Sequence, residues 1–383
     1  MLPNTPPGAP KIVFRSRTAE MRRRIVRFLT AWALRAVDAA LCPPGALPAA
    51  GIHRILVCRP NHRLGNAILL SPLLQEIDAR FPGAEIDIVS AGTAAATLLA
   101  PRFSVRSVLA FPNRTARHPW ACLSLMRQLR RNRYDLAIDA CPASYSGRLA
   151  LGACRARYKI GFPLSGQEDD TLQGYLADCP PHMAKRGVHL LRTACAEARA
   201  TSWPALRVEL HPEELERGRR ALATLAEGAG GRTGGPVIGI FSNATGIKRY
   251  PESWWADFIN ALRAGRPDIR IVNVLAEHGR SQLPGAQAAF YSRNLRKLAA
   301  VLAGMDGFIS ADCGVMHLAS AVETPTLGLF ILPNQDKYGP YGPGNQAMDA
   351  KIEQGGATAA AAALDWIEHA VGGVKTAERY AAA

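Results

Sequence analysis

The chain contains no CxxC pair. Its eight cysteines are scattered, and the two nearest along the chain, Cys141 and Cys154, are too far apart for paired metal ligands. That argues against a zinc cluster, and in 383 residues it also argues against a disulfide framework. A reducing cytoplasm is the expected compartment, with Cys58 and Cys141 read as buried thiols in apolar runs. The start, "MLPNTPPGAPKIVFRSRTAEMRRR", lacks the compact apolar core and small-residue cleavage site of a secretion signal. Aromatic residues make up only 7%, and no basic stretch carries interleaved rings to stack on bases, so no nucleic-acid partner is expected. Acidic residues are also short, 31 against 46 Lys and Arg, which leaves a formal charge of +15. A surplus of that size suggests an anionic partner such as a phosphorylated glycan or lipid, or an anionic membrane surface.

What is present reads as a folded α/β protein, 48% hydrophobic and 20% charged, and too long for one core of ordinary size. Residues 17–41 have helical periodicity, with Ile25, Phe28, Leu29, Trp32, Val37 and Leu41 on an apolar stripe. Arg27, Arg35 and Asp38 interrupt that stripe, which argues against a membrane span. Two readings stand: a helix in an anionic membrane interface, or a helix packed on the main body.

From residue 53 strands and helices alternate. Strands are expected at 55–58, 86–90 and 136–139, with helices at 67–80 and 120–132 and across "ASYSGRLALGAC". The rhythm restarts with strands at 237–241, 269–275, 307–310 and 326–330, and helices at 253–263, 295–302 and 317–322. Between the halves, "EGAGGRTGGP" lacks GxGxxG spacing and follows a helix, so it reads as a linker and not a dinucleotide fingerprint. The resulting division is a basic helix and Pro-rich linker (1–50), a first α/β domain (51–226), the Gly-rich linker (227–236), a second α/β domain (237–345), and a closing helix with its tail (346–383). Two successive α/β domains place a ligand in the cleft between them.

Four loops carry candidate chemistry. "RPNHRLGNAILLSP", 59–72, follows the first strand and offers His62, Arg63, Gly65 and Asn66 to the cleft. "FSNATGIKRYPESWW", 241–255, presents Thr245 and Gly246 as donors, and Lys248 as a charge able to neutralise a departing diphosphate. Taken alone, Lys248 also reads as a solvated loop cation. "ADCGVMHLASA", 311–321, ends a strand and starts a helix whose free N–H groups favour phosphate. There Asp312 orients the turn or merely caps it, and His317 faces the pocket or is a satisfied core histidine. "VNVLAEHGRSQ" sets Glu277 beyond a strand, where an acid can accept from a ribose diol.

Together these segments resemble the bacterial lipopolysaccharide heptosyltransferases, the ADP-heptose-dependent glycosyltransferases of family 9, from about Arg54 to Gly344. "RLGNAILLSP" is similar to that family's Gly-Asp turn and proline-bearing helix. "NATGIKRYPE" is similar to its Lys-x-aromatic-Pro loop, and "ADCGVMHLASA" to its Asp-Thr/Ser-Gly-x-x-His motif. The resemblance implies a GT-B fold, two Rossmann-like domains facing across a cleft, and inverting transfer with no cofactor and no essential metal. It implies that Lys248, Thr245, Gly246 and the Gly314 helix start hold the diphosphate, that Glu277 holds the ribose, and that Asp312, Cys313 and His317 shape the pocket. The implied partners are a nucleotide sugar, ADP-heptose by resemblance, and a lipopolysaccharide core or other anionic glycolipid acceptor at the inner face of a membrane.

Two residues depart from the pattern. Cys313 replaces a hydroxyl residue. Asn66 replaces the aspartate that serves the family as general base, and an amide has no useful basicity. Three accounts follow: another group, His62 or Asp139, is the base; positioning and leaving-group stabilisation suffice; or binding persists without catalysis.

Overall fold

The computed structural model describes Leu34 and residues 36–112, 118–142, 144–164, 170–197, 202–228, 234–277, 279, 281–284 and 288–371. Five strands form the first sheet: β1 (Arg54–Arg59), β2 (Glu85–Ser90), β3 (Val105–Ala110), β4 (Arg133–Asp139) and β5 (Arg155–Gly161), in the order β3-β2-β1-β4-β5. Six form the second: β6 (Val237–Phe241), β7 (Arg270–Val274), β8 (Ala288–Phe290), β9 (Gly307–Ala311), β10 (Thr326–Phe330) and β11 (Gln346–Asp349), in the order β11-β10-β9-β6-β7-β8. The pairings are parallel in both sheets.

The central strands bury both faces. β6, β9 and β10 are buried at every position, as the unbroken apolar runs of crossover-covered parallel strands require. In each sheet the strand order reverses beside the first strand: β1 lies between β2 and β4, and β6 between β7 and β9. The loops that leave these strands at their C-terminal ends are therefore the expected ligand-binding loops. They are two of the four loops singled out by residue chemistry above; the other two leave β7 and β9.

Three local outcomes differ from the sequence reading. The helix expected at 67–80 is two helices, Leu64–Ile68 and Ser71–Arg80. Pro72 has no N–H to donate back toward Ile68, so the helix restarts there, and Ser71 Oγ donates to Ile68 O instead at 2.8 Å. The helix Pro212–Glu227 lies within the stretch assigned to the first domain but packs on Leu295–Ala303 of the second. Gly218 sits so close that a Cβ there would stand 2.2 Å from Ala300 O. The chain thus crosses between domains before the Gly-rich linker, near Val208, whose N–H donates to Ala321 O at 2.8 Å. The edge strands β3, β5, β8 and β11 carry no long apolar run, which is why periodicity passed over them.

Of the amphipathic segment 17–41, residues 17–33 and 35 lie outside the described residues. The described end packs on the body. Leu34 is buried, Val37 lies against Gly152, and Asp38 forms an ion pair with Arg148. The closing helix Gly356–Trp366 belongs to the second domain, with Gly356 against Trp254 O and Trp366 Nε1 donating to Gly344 O at 3.0 Å.

Candidate active site between the two domains

β6 leads through buried Ser242 and Asn243 into a loop with exposed Thr245 and Gly246. Gly246 has φ +64° with open space around its α-carbon, a conformation that favours glycine. A single 3-10 turn, Gly246–Lys248, follows, and buried Tyr250 anchors its far end by donating to Ala350 O at 2.8 Å. That anchor aims Lys248 across to the loop after β9, where its Nζ lies 2.5 Å from Asp312 Oδ2. Lys248 keeps 28% of its side chain exposed while Asp312 keeps 8%, so the cation faces the cleft and the acid backs it. Lys248 is therefore a paired, aimed cation and not a free loop charge.

Asp312 is tied to β10 through its own N–H, which donates to Leu329 O at 3.1 Å. Cys313 then precedes the helix Gly314–Ala321 without a side-chain cap, and its Sγ lies 3.4 Å from Ser310 Oγ. Burial pushes the Cys313 thiol up, so it sits as a neutral group. The uncapped N–H groups of this helix and the Lys248 ammonium converge at one end of the second sheet. An arrangement of that kind holds a phosphate oxygen and favours the charge that develops on a leaving diphosphate.

His317 lies one turn into the same helix and is 4% exposed, with no partner for Nδ1 among the described residues. Burial first, then neighbouring positive charge from His182 and Lys248, pulls its pKa down to about 3. The ring is neutral at working pH. Its Cδ2 lies so near Gly65 that a Cβ there would stand 2.9 Å away. Gly65 and Gly314 also meet, which brings the tips of the two domains into contact.

On the first domain, Arg59 ends β1 and is 3% exposed, and its Nη2 donates to Asn66 Oδ1 at 3.1 Å. Asn66 is half-buried, and His62 and Arg63 are exposed on the same loop. Asp139 is fully buried at the end of β4, and Arg148 Nε lies 3.3 Å from its Oδ2. Burial raises its pKa to about 7 against the pull of Arg148. Arg148 is itself fully buried, pairs with Asp38, and donates to Phe162 O. Asp139 thus sits in an internal ion network, away from solvent. Glu277 stands exposed beyond β7, 3.8 Å from Arg293 Nε.

Sequence reasoning missed three residues here. Arg59 had one visible signal, a cation ending an otherwise apolar strand. Tyr338, whose ring centroid is 5.7 Å from Lys248 Nζ, and His182, whose pKa burial lowers to about 4, reach the site only through tertiary packing.

Two Rossmann-like sheets facing one cleft, with a lysine and a helix start together at the end of the second, match the GT-B class of glycosyltransferases. A family model described as glycosyltransferase family 9 (heptosyltransferase) matches residues 122–361, and the chain belongs to that family. It is similar to a Pseudomonas aeruginosa protein described as lipopolysaccharide heptosyltransferase 1, 27% identical over 306 residues, which cover 76% of this chain and 81% of that one. Its fold is similar to that of the E. coli heptosyltransferase WaaC solved with ADP, with a TM-score of 0.60, 19% identity, and 82% and 99% of the two chains covered. A family 9 glycosyl transferase from Veillonella parvula gives a TM-score of 0.62 at 18% identity over 81% and 88%.

Proposed function

We propose that this glycosyltransferase moves heptose, or a closely related sugar, from ADP-heptose to an acidic or phosphorylated acceptor of the lipopolysaccharide inner core. The observation that carries the reading is Lys248, held 2.5 Å from Asp312 beside the Gly314 helix start. The acceptor hydroxyl oxygen attacks the anomeric carbon, the carbon–oxygen bond to the diphosphate breaks, and ADP leaves with the electron pair. Attack opposite the leaving group inverts the configuration. Lys248 and the helix N–H groups take up the charge on the diphosphate, so the step runs without an essential metal. The name of the 27%-identical relative supports heptose as the sugar moved and lipopolysaccharide as the acceptor class. Glu277, on the rim beyond β7, is the candidate for the ribose diol.

The acceptor's proton must go elsewhere than to Asn66. His62 has an exposed imidazole on the acceptor-side loop, whereas Asp139 is held inside by Arg148. Of the two candidate bases, His62 is therefore favoured. The alternative reading, a binding protein without turnover, rests on Asn66 alone.

A cationic face of the first domain supports work at an anionic membrane surface. Trp120, Arg127 and Arg131 share the outward line of the helix Pro119–Arg131, and Trp120 is 79% exposed. Beyond its end, Arg133, Arg155, Arg157 and Lys159, with the single acid Asp135, line a concavity of about 560 Å³. An exposed amphipathic ring and a cluster of cations on one domain suit the headgroup layer of anionic lipids.

The test is ADP release from ADP-heptose with an inner-core acceptor, for the native chain and for Asn66→Asp. Acceptor-dependent release by the native chain supports the enzyme reading. Tight ADP binding with no release under any acceptor would favour the alternative.

A further inference from the structure

Arg59 is a buried cation that forms no ion pair among the described residues, and Asp139 acts on it only at longer range. Its side chain is 3% exposed, and burial draws the guanidinium below its ordinary pKa. Five carboxylates around the first sheet are committed to other arginines, and Asp135 accepts from the backbone N–H groups of His53 and Arg54. Arg106 takes Asp87, Arg102 takes Asp78, Arg192 takes Glu76, and Arg148 takes both Asp38 and Asp139. Among the described residues none forms an ion pair with Arg59, and its Nε has no hydrogen-bond partner. A charge in that setting is costly unless something compensates it.

Among the described residues the polar contact that fixes the Arg59 head is neutral, the bond from Nη2 to Asn66 Oδ1 at 3.1 Å. That bond decides what Asn66 can do. With its oxygen turned to the guanidinium, the amide presents its NH₂ on the other side, so Asn66 is a donor and not an acceptor. The neighbouring Cys141 thiol feels Arg59, Arg186 and Lys337 as positive charge, opposed by the buried Asp139. The loop is thus built to meet negative charge, and it supplies none of its own.

We propose that Arg59 and Asn66 form a seat for an anionic group of the acceptor, a carboxylate or a phosphate, with Asn66 donating to it and Arg59 supplying the charge behind. An acid at position 66 would occupy that seat itself by pairing with Arg59, which gives a physical reason for the amide. The inference rests on the glycosyltransferase reading of the cleft.

The experiment uses the full chain, with Asn66→Asp, Arg59→Met and Arg59→Lys. Asn66→Asp is expected to raise the KM for an acidic acceptor at least tenfold while the KM for ADP-heptose holds. Arg59→Met should do the same, and Arg59→Lys should restore part of the loss, which a purely structural arginine would not. Separate acceptors, one with phosphates removed and one with its carboxylate esterified, identify the group: the variants should lose their effect on whichever acceptor lacks it. Calorimetry with inorganic phosphate and with galacturonate, against neutral galactose, reads the seat without turnover. An anion is expected to bind the native chain at least tenfold more tightly than Asn66→Asp, with ADP binding unchanged. If Asn66→Asp lowers the acceptor KM, or if native and variant bind both anions equally, the seat is wrong. Failure of the native chain to bind ADP would instead sink the underlying glycosyltransferase reading. Should Arg59→Met fail to fold, Asn66→Asp alone still decides.

Discussion

Gly65 and Gly314, on opposite domains, meet so closely that a Cβ built on Gly314 would stand 2.9 Å from the Gly65 backbone nitrogen. The loop after β1 and the start of the helix after β9 can therefore touch only where both lack side chains. Gly314→Ala is expected to hold the tips apart by a few tenths of an ångström. Misplacement at a reacting centre is expensive, so kcat should fall at least about tenfold. Steady-state kinetics beside a thermal melt checks this, and a variant with native kcat would show that the tips need not close.

Lys248 should matter more for chemistry than for folding. It is partly exposed and paired with Asp312 at the cleft, so Lys248→Ala removes the cation proposed to face the diphosphate but leaves the buried frame. A drop in kcat of about 10²–10³ is expected, comparable to removing one preorganised stabilising donor. Native turnover in that variant would return Lys248 to the role of a loop cation.

His317 and His182 predict an acid-side loss of stability. Burial holds their folded pKa values at about 3 and about 4, below the ordinary histidine value. Between about pH 6.5 and those values the unfolded chain binds more protons, so stability falls as pH drops through that window. Asp139, raised to about 7, acts in the opposite direction, binding its proton in the folded state first. Comparison with His317→Asn isolates one contribution. Its urea-unfolding free energy should depend less steeply on pH by up to one proton, about 1.4 kcal/mol per pH unit. Parallel native and variant curves would mean that the ring protonates freely.

The cationic face predicts binding to lipid. The double variant Arg155→Glu, Arg157→Glu should weaken cosedimentation with phosphatidylglycerol-containing vesicles at least about tenfold, and added salt should weaken the native interaction. Equal binding to pure phosphatidylcholine vesicles would remove charge as the cause.

Local patterns made much of this protein legible. β6 and β10 fall where unbroken apolar runs are bounded by turn formers, because central parallel strands bury both faces and leave no room for polar alternation. Lys248, Asp312 and Gly314 were visible because each stands where a strand gives way to a loop. The edge strand β5, "RARYKIG", carries three cations and shows no such run, since one of its edges faces solvent. The start of the second domain was also hidden. Whether Pro212–Glu227 packs on one sheet or the other depends on its fit to Ala300, which lies far along the chain.

By itself the sequence determined which loops offer candidate chemistry and that position 66 holds no base. Tertiary structure decided that Lys248 is tied to Asp312, that Asp139 is shut inside with Arg148, and that Asn66 is oriented by Arg59. The reason is common to all three. Charge, burial and hydrogen-bond direction depend on what surrounds a side chain in space, and those surroundings come from segments that the chain itself keeps far apart.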